Sequence, residues 1–284
     1  MSSTRWLLLP YLLGAFLLVA LPVIISFSLS FFSYDGLSPP VWIGWRNFQD
    51  VFTEPLFSIA LSNSLFFIYL AVPLRLLAAL CLALLLNRPR PGVGFFRSAV
   101  YFPSLIPDMA FALLWLWLLN PFYGPINQLL NGFGLAAPAW LVNPETAKPA
   151  LVMMSIFTLG EGFVILLVAL KNVPQVYYDA VWIDGGSSWQ AFWRLTLPFI
   201  RPWIFILLVR DVALTFQSTF IPAYVMTRGG PYYSTLFLPL LSFEEAFDRL
   251  RIGPGSVMML LIFLVTLSLL LLLAGAFQRW SYED

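Results

Sequence analysis

Five ionisable residues stand inside long apolar runs: Arg75, Asp108, Glu161, Arg210 and Asp211. A charge in hydrocarbon is costly, so each defaults to a working role, either on a pathway or in a pair. Glu161 follows Gly160 near the middle of its run and is the first candidate for a polar pathway wall. Arg75 follows Pro73 and has to snorkel or find an acid. Asp108 follows Pro107 at a kinked run end. Arg210 and Asp211 sit about two turns inside the fifth run. Being adjacent, they point about 100° apart on a helix and cannot simply face each other. Pairing with a neighbouring span and lining a path are both open to them. Downstream, "LTFQSTFIPAYVMT" offers hydrogen bonds from Gln217, Ser218 and Thr219 beside the rings of Phe216, Phe220 and Tyr224. Polar groups next to aromatic faces suit a hydroxyl-rich ligand. The chain holds 27 phenylalanines, however, and rings at helical spacing are more often packing.

Other chemistry is poorly supplied. Histidine is absent, which removes the commonest general base and metal ligand. Cys81 is the single cysteine, so neither an intrachain disulfide nor a thiolate metal cluster is expected. Its place in an apolar run reads as a small buried packing residue. Only Lys148 and Lys171 are lysines, and no G-x-x-x-x-G-K-[ST] phosphate loop occurs. Any ATP and Mg would have to be bound by another subunit. The formal net charge of +1 gives no electrostatic case for nucleic acid.

The elements that position these residues are membrane spans. Of 284 residues, 60% are hydrophobic and 10% charged, with a mean hydropathy of +0.86. So few charges do not cover a soluble globule of this size. A span needs roughly 20 apolar residues. Six runs qualify, near Trp6–Phe32, Phe57–Leu86, Ala99–Leu119, Ala150–Leu170, Trp203–Met226 and Ser256–Phe277. The fold class is therefore all-α and polytopic. The first run is too long for a removable signal peptide, lacks a small-residue cleavage site, and reads as a retained span. Arg5, Arg88, Arg90, Arg97, Lys171, Arg194, Arg201 and Arg279 fall on one side. Arg46, Lys148, Arg228, Arg249 and Arg251 fall on the other, spread over longer loops. The positive-inside rule then puts both termini and the stretch around Asp179 in the cytoplasm. The outer loops fall near 33–56, 120–149 and 227–255, two of them with short helices along the membrane face. No repeat, low-complexity tract or second domain interrupts residues 1–284.

One polar stretch breaks the pattern, "NVPQVYYDAVWIDGGSSWQAFWRLTLPFIRP" over about 172–202. Pro174 suits a first helical turn. Val176, Tyr177, Ala180, Val181 and Asp184 recur at helical spacing. Gly185-Gly186 stops that helix, since glycine tolerates a left-handed helix end. Ser187 opens a second helix and Gln190 completes a capping box. Trp189, Phe192, Trp193 and Thr196 are expected on one face, with Pro198 and Pro202 ending the pair.

This stretch resembles the signature of the permease subunits of binding-protein-dependent ABC importers. Their pattern is E-A-A, three residues, D-G-A, then a short helix leading to L-P. The chain reads Asp179-Ala180-Val181, Asp184-Gly185-Gly186 and Leu197-Pro198 with the spacing kept. Asp179, Val181 and Gly186 depart from the pattern. "GWRNFQDVF", "NPFYGPINQLL" and "TRGGPYYSTLFLPL" resemble further segments of the carbohydrate-uptake class, close to maltose and glycerol-phosphate permeases. Four motifs in the right order are far more specific than any one.

The resemblance implies that Asp179, Ala180, Asp184, Gly185, Gly186, Leu197 and Pro198 belong to a coupling helix pair that docks in a cleft of an ATPase subunit. It implies as partners a second homologous permease, two ATP-binding cassette ATPases, an extracytoplasmic solute-binding protein and a carbohydrate or glycosylated solute. Glu161, Phe216, Gln217, Thr219, Phe220 and Tyr224 are the candidate path residues, and no covalent chemistry is expected. An acid follows the second Phe in many such permeases; Ile221 stands there in this chain. Three rivals remain. The polar stretch is a mere surface anchor, which would prefer lysines to Asp-Gly-Gly. The chain is an ion-coupled secondary transporter, which commonly has repeated halves. Or it is a membrane enzyme, which needs a clustered site.

Overall fold

The computed structural model describes residues 3–281, with side chains from residue 8 to residue 277. The side chains of Arg5 and Arg279, which carry part of the charge bias, lie outside the described residues. Four helices are long and apolar enough to cross a membrane: Leu8–Phe31, Pro55–Asn87, Ser188–Thr227 and Ile252–Phe277. Two more spans are bent pairs, Val93–Leu105 with Asp108–Leu118 at 104° and Pro144–Ile156 with Gly160–Lys171 at 45°. The chain thus has up to six spans, in the order the apolar runs predict.

A kink was expected at Pro107 in the third run; the structure breaks both the third and the fourth. In the third, Pro107 removes a donor and pushes Ile106 to extended backbone at ψ 129°. In the fourth, the hydroxyls of Ser155 and Thr158 bond to the carbonyls of Val152 and Ser155, at the point where the helix stops. Gly160 then restarts it against the third span. Its N–H donates to Ser104 Oγ at 3.0 Å, and a Cβ there would stand 3.0 Å from the Cα of Tyr101. By contrast, Pro73 lies within the unbroken Pro55–Asn87 helix.

The second span is the hub. It packs on both halves of the fourth span and on the fifth. Ala60, Ala71, Ala79 and Ala83 sit on its buried side at 0–2% exposure, where small side chains let helix backbones approach. Cys81 corrects the expectation of burial: it is exposed on this helix. The first span contributes little to the interior, and its most apolar stretch is 0% buried. Such a face is stable only against lipid or a partner.

The loop motifs are structural fasteners. Asn47, 3% exposed, donates to the carbonyls of Ser30 and Phe32 at the end of the first span. Gly124 has no room for a side chain, because a Cβ would meet Asn120 O at 2.4 Å. Asn127 donates to the carbonyls of Pro121 and Pro138 and accepts from Trp140 Nε1. Thr235 Oγ1 bonds Thr227 Oγ1 and Gly230 O, both at 2.7 Å. Two placements differ from the loop expectation. The helix Leu238–Phe243 dips into the bundle rather than lying on its surface, with Leu238, Leu240 and Leu241 fully buried. Lys148 stands within the first half of the fourth span, where it donates to Asn63 Oδ1 at 2.6 Å above the Phe66 ring.

Candidate functional site

Two sites emerge, a knob at one end of the bundle and a charged cavity inside it. The knob begins after Lys171. Its first helix runs Gln175–Ile183, with Pro174 as the N-cap rather than in the first turn. Asp184 is the C-cap and Gly185 takes φ +75°. The N–H of Gly185 reaches Trp182 O at 3.1 Å, and that of Gly186 reaches Val181 O at 2.8 Å. These are the two bonds of a Schellman stop, which satisfies the orphan carbonyls of the helix end. Ser187 then caps the next helix, and Gln190 completes the capping box from both directions.

The two glycines do different jobs. A Cβ at Gly185 would meet nothing within 4 Å, so only the left-handed backbone requires glycine there. At Gly186 a Cβ would stand 2.6 Å from Val181 Cγ1 and 2.9 Å from Val181 O. The steric demand of the turn therefore falls on Gly186 and the conformational demand on Gly185. Two departures from the permease pattern also explain each other: Val181 is larger than the pattern's alanine, and Gly186 is smaller than its alanine.

Other expectations for the knob change. Pro198 and Pro202 do not end it, because Ser188–Thr227 is one continuous helix. A wide turn over Phe192–Thr196 shifts the hydrogen-bond register just before Pro198, and Thr196 Oγ1 reaches back to Ala191 O at 3.3 Å. Thr196 leaves the proposed outward face. It is 5% exposed and bonds Tyr178 Oη at 2.8 Å, which ties the two knob helices together. Trp189, Phe192 and Trp193 do cluster, with centroids 5.3–6.4 Å apart, and Trp189 is 69% exposed. Asp179 accepts from Gln175 Nε2 at 3.1 Å on the exposed surface.

The cavity is about 340 Å³ and is walled by the second to fifth spans. Arg75, Asp108, Glu161, Arg210 and Asp211 all line it, with Ser104, Thr158, Gln217 and Ser218. Both breaks in the spans open onto it, which is where irregular backbone is tolerated at membrane depth. A smaller cavity of about 90 Å³ shares Arg75, Asp108, Thr158 and Ser218, and adds Thr219.

Four of the charges form a chain. Glu161 pairs with Arg210. Arg210 Nη1 lies 3.5 Å from Asp211 Oδ1, so the long arginine bends back to a neighbour that the helix aims elsewhere. Asp211 Oδ2 lies 3.4 Å from Arg75 Nε, and Arg75 Nη2 donates to Thr215 Oγ1 at 2.8 Å. Arg75 pairs rather than snorkels. Arg210 lies near the middle of its long helix, deeper than two turns.

The path candidates divide. Glu161 and Gln217 line the larger cavity and Thr219 the smaller. Phe216 does not; it is 3% exposed and packs with Ile68, Val72 and Val212. Phe220 and Tyr224 line neither cavity. They stack on each other and on Phe243, with centroids 5.2–5.6 Å apart. Sequence reasoning missed Ser104 and Thr158. The signal was present, since both sit where prolines or hydroxyls interrupt an apolar run. Among the described residues, no group of His, Cys, Asp and Glu forms a metal site.

A bundle of up to six spans, with a polar core and a rigid knob projecting from two of them, is the architecture of a membrane transport subunit. Residues 71–281 match the family described as binding-protein-dependent transport system inner membrane component. The chain belongs to this family and is the multi-pass inner-membrane permease subunit of an ABC importer, a transport component rather than an enzyme. It is 35% identical to a probable ABC transporter permease protein, YesP, of Bacillus subtilis (strain 168), covering 92% of this chain and 86% of the relative. It is 30% identical to the sulfoquinovosyl glycerol transport system permease protein SmoG of Agrobacterium fabrum, covering 93% and 90%. It is also 30% identical to the trehalose/maltose transport system permease protein MalF of Thermococcus litoralis, covering 96% and 93%. The crystal structure of a bacterial ABC transporter involved in import of the acidic polysaccharide alginate shares the fold. Its TM-score is 0.86 at 23% identity, over 97% of this chain and 95% of that one. Membership removes the secondary-transporter reading.

Proposed function

We propose that residues 1–284 form a single permease domain that carries a carbohydrate or glycosylated solute. It pairs with a second homologous permease, two ATP-binding cassette ATPases and an extracytoplasmic binding protein. The observation that carries the reading is the knob. A Schellman stop and a capping box fix it internally, its Trp cluster is exposed, and it joins the fourth and fifth spans without a flexible linker. Such a body can convert closure of an ATPase dimer into rocking of the spans. In this reading Asp179, Ala180, Asp184, Gly185 and Gly186 shape the docking surface, and Leu197 and Pro198 join it to the fifth span. Carbohydrate as cargo is supported by relatives that import trehalose, maltose and sulfoquinovosyl glycerol. The cavity is this subunit's share of the path, with Gln217 and its hydroxyl-bearing neighbours as the groups that meet cargo, while Glu161 stands on its wall in an ion pair with Arg210.

Both termini and the knob lie in the cytoplasm. Single cysteines on a Cys81→Ser background, probed with an impermeant thiol reagent, test this: position 232 labels from outside and position 92 does not. The reverse pattern would sink the orientation. Function is tested in proteoliposomes holding the whole complex. Uptake should require ATP and the loaded binding protein, and Gly185→Val should uncouple hydrolysis from uptake or weaken ATPase docking. Wild-type transport and coupling in Gly185→Val would restore the surface-anchor reading.

A further inference from the structure

We infer that the Glu161–Arg210–Asp211–Arg75 chain is a brace that makes the two knob-bearing spans and the second span move as one body, so that the knob's displacement reaches the path undiminished. The inference rests on the knob reading above. Glu161 precedes the knob by 11 residues, counted to Asn172, and Arg210 follows it by 14, counted from Thr196. At 1.5 Å per residue these are about 16 and 21 Å of helix. The two spans are therefore the arms of a hairpin with the knob at its tip. Tyr178 and Thr196 pin the arms at the tip, and Glu161 and Arg210 pin them again at mid-span. Between the pins the arms pack closely, since a Cβ on Gly162 would stand 3.9 Å from both Leu207 δ-carbons.

The next residue along extends the brace. Asp211 points about 100° away from Arg210 and so reaches Arg75 on the hub helix. Two consecutive residues on one helix thereby bind two different neighbours. Apolar packing alone lets helices slide by small shear motions. An ion pair resists sliding most where parting strands a buried charge, as it would at Arg75–Asp211, and a directional contact such as Glu161–Arg210 adds to the register even beside the cavity. Side-chain exposure rises along the chain, 10% for Arg75, 20% for Asp211, 37% for Arg210 and 52% for Glu161. The buried end is the anchor, and the end in the cavity is the part that can be altered without collapsing the bundle. Each charge already meets an opposite one, so the chain needs no charged cargo to complete it.

The test uses the assembled transporter in proteoliposomes. Glu161→Gln and Arg210→Gln should keep ATP hydrolysis stimulated by the loaded binding protein, while uptake per ATP falls about fivefold or more, the size of a typical coupling between sites. Half-saturation for cargo should stay unchanged. The decisive variant is E161C/R210C on the Cys81→Ser background. Untreated, it should be uncoupled; bridged by a short bifunctional thiol reagent, it should regain coupling, because a covalent link replaces the brace. Three outcomes would overturn the inference: bridging that abolishes the residual uptake, because the pair must then part in the cycle; a changed half-saturation with intact coupling, because the pair then contacts cargo; and full coupling in the unbridged variant. Failure of the knob reading looks different, since Gly185→Val would then transport and couple like wild type. Gel filtration of each complex checks assembly.

Discussion

The knob and the charged chain are both built from polar residues in an apolar protein, yet their order comes from different distances along the sequence. In the knob, nearly every defining bond joins residues three to five apart. In the chain, Glu161 meets Arg210 and Arg75 meets Asp211, across 49 and 136 positions, respectively. The difference teaches where each site is vulnerable. A local motif fails by backbone strain at one residue and leaves the bundle standing. A long-range ionic chain fails by stranding a partner inside the bundle.

The largest effect is expected where stranding is most complete. Arg75→Leu leaves Asp211 without its buried partner, which should destabilise the bundle by about 3–5 kcal/mol. Thermal unfolding of the detergent-solubilised permease measures it. Adding Asp211→Asn should recover most of the loss, because the uncompensated charge disappears. An Arg75→Leu protein as stable as wild type would show that the chain carries little packing energy.

Next comes the paired departure in the knob. Gly186→Ala drives a methyl into Val181, an overpacking that should cost about 1–3 kcal/mol. Val181→Ala by itself should be mild, and the double variant should return towards wild type. The readout is knob integrity, measured as ATPase association with the solubilised permease. Equal effects of Gly186→Ala in both backgrounds would break the proposed complementarity.

Ser187→Ala removes a cap that accepts from Gln190 N, and should cost about 1 kcal/mol at the knob alone. Hydrogen exchange should then rise over 188–191 and not at mid-span. Asp179→Ala should have the smallest effect. Its bond to Gln175 is exposed, and such helix pairs contribute roughly 0.2–0.5 kcal/mol. A loss of uptake larger than that of Gly186→Ala would show that Asp179 works chiefly against the ATPase rather than within the knob.

The spans, their order, the glycine stop and the capping box were determined by the sequence itself. Hydropathy over 20 residues and hydrogen bonds over three to five are local quantities, and Gly185, Ser187 and Gln190 sit where those rules place them. The helix breaks were half determined: Pro107 announces one, while the stop at Ile156–Gly160 is set by hydroxyls and by the close approach of Tyr101 and Ser104. Only the tertiary structure decided which charges meet. Arg75 had a choice between the interface and any acid in the bundle, and helix packing brought it Asp211. The same packing buried Phe216 and turned Phe220 and Tyr224 onto Phe243, the more common fate of rings at helical spacing. Which face of a span meets a cavity is fixed by helix rotation, and rotation is set by neighbours such as Gly162 and Leu207. In a chain apolar all round, the period of the sequence carries almost no record of that angle.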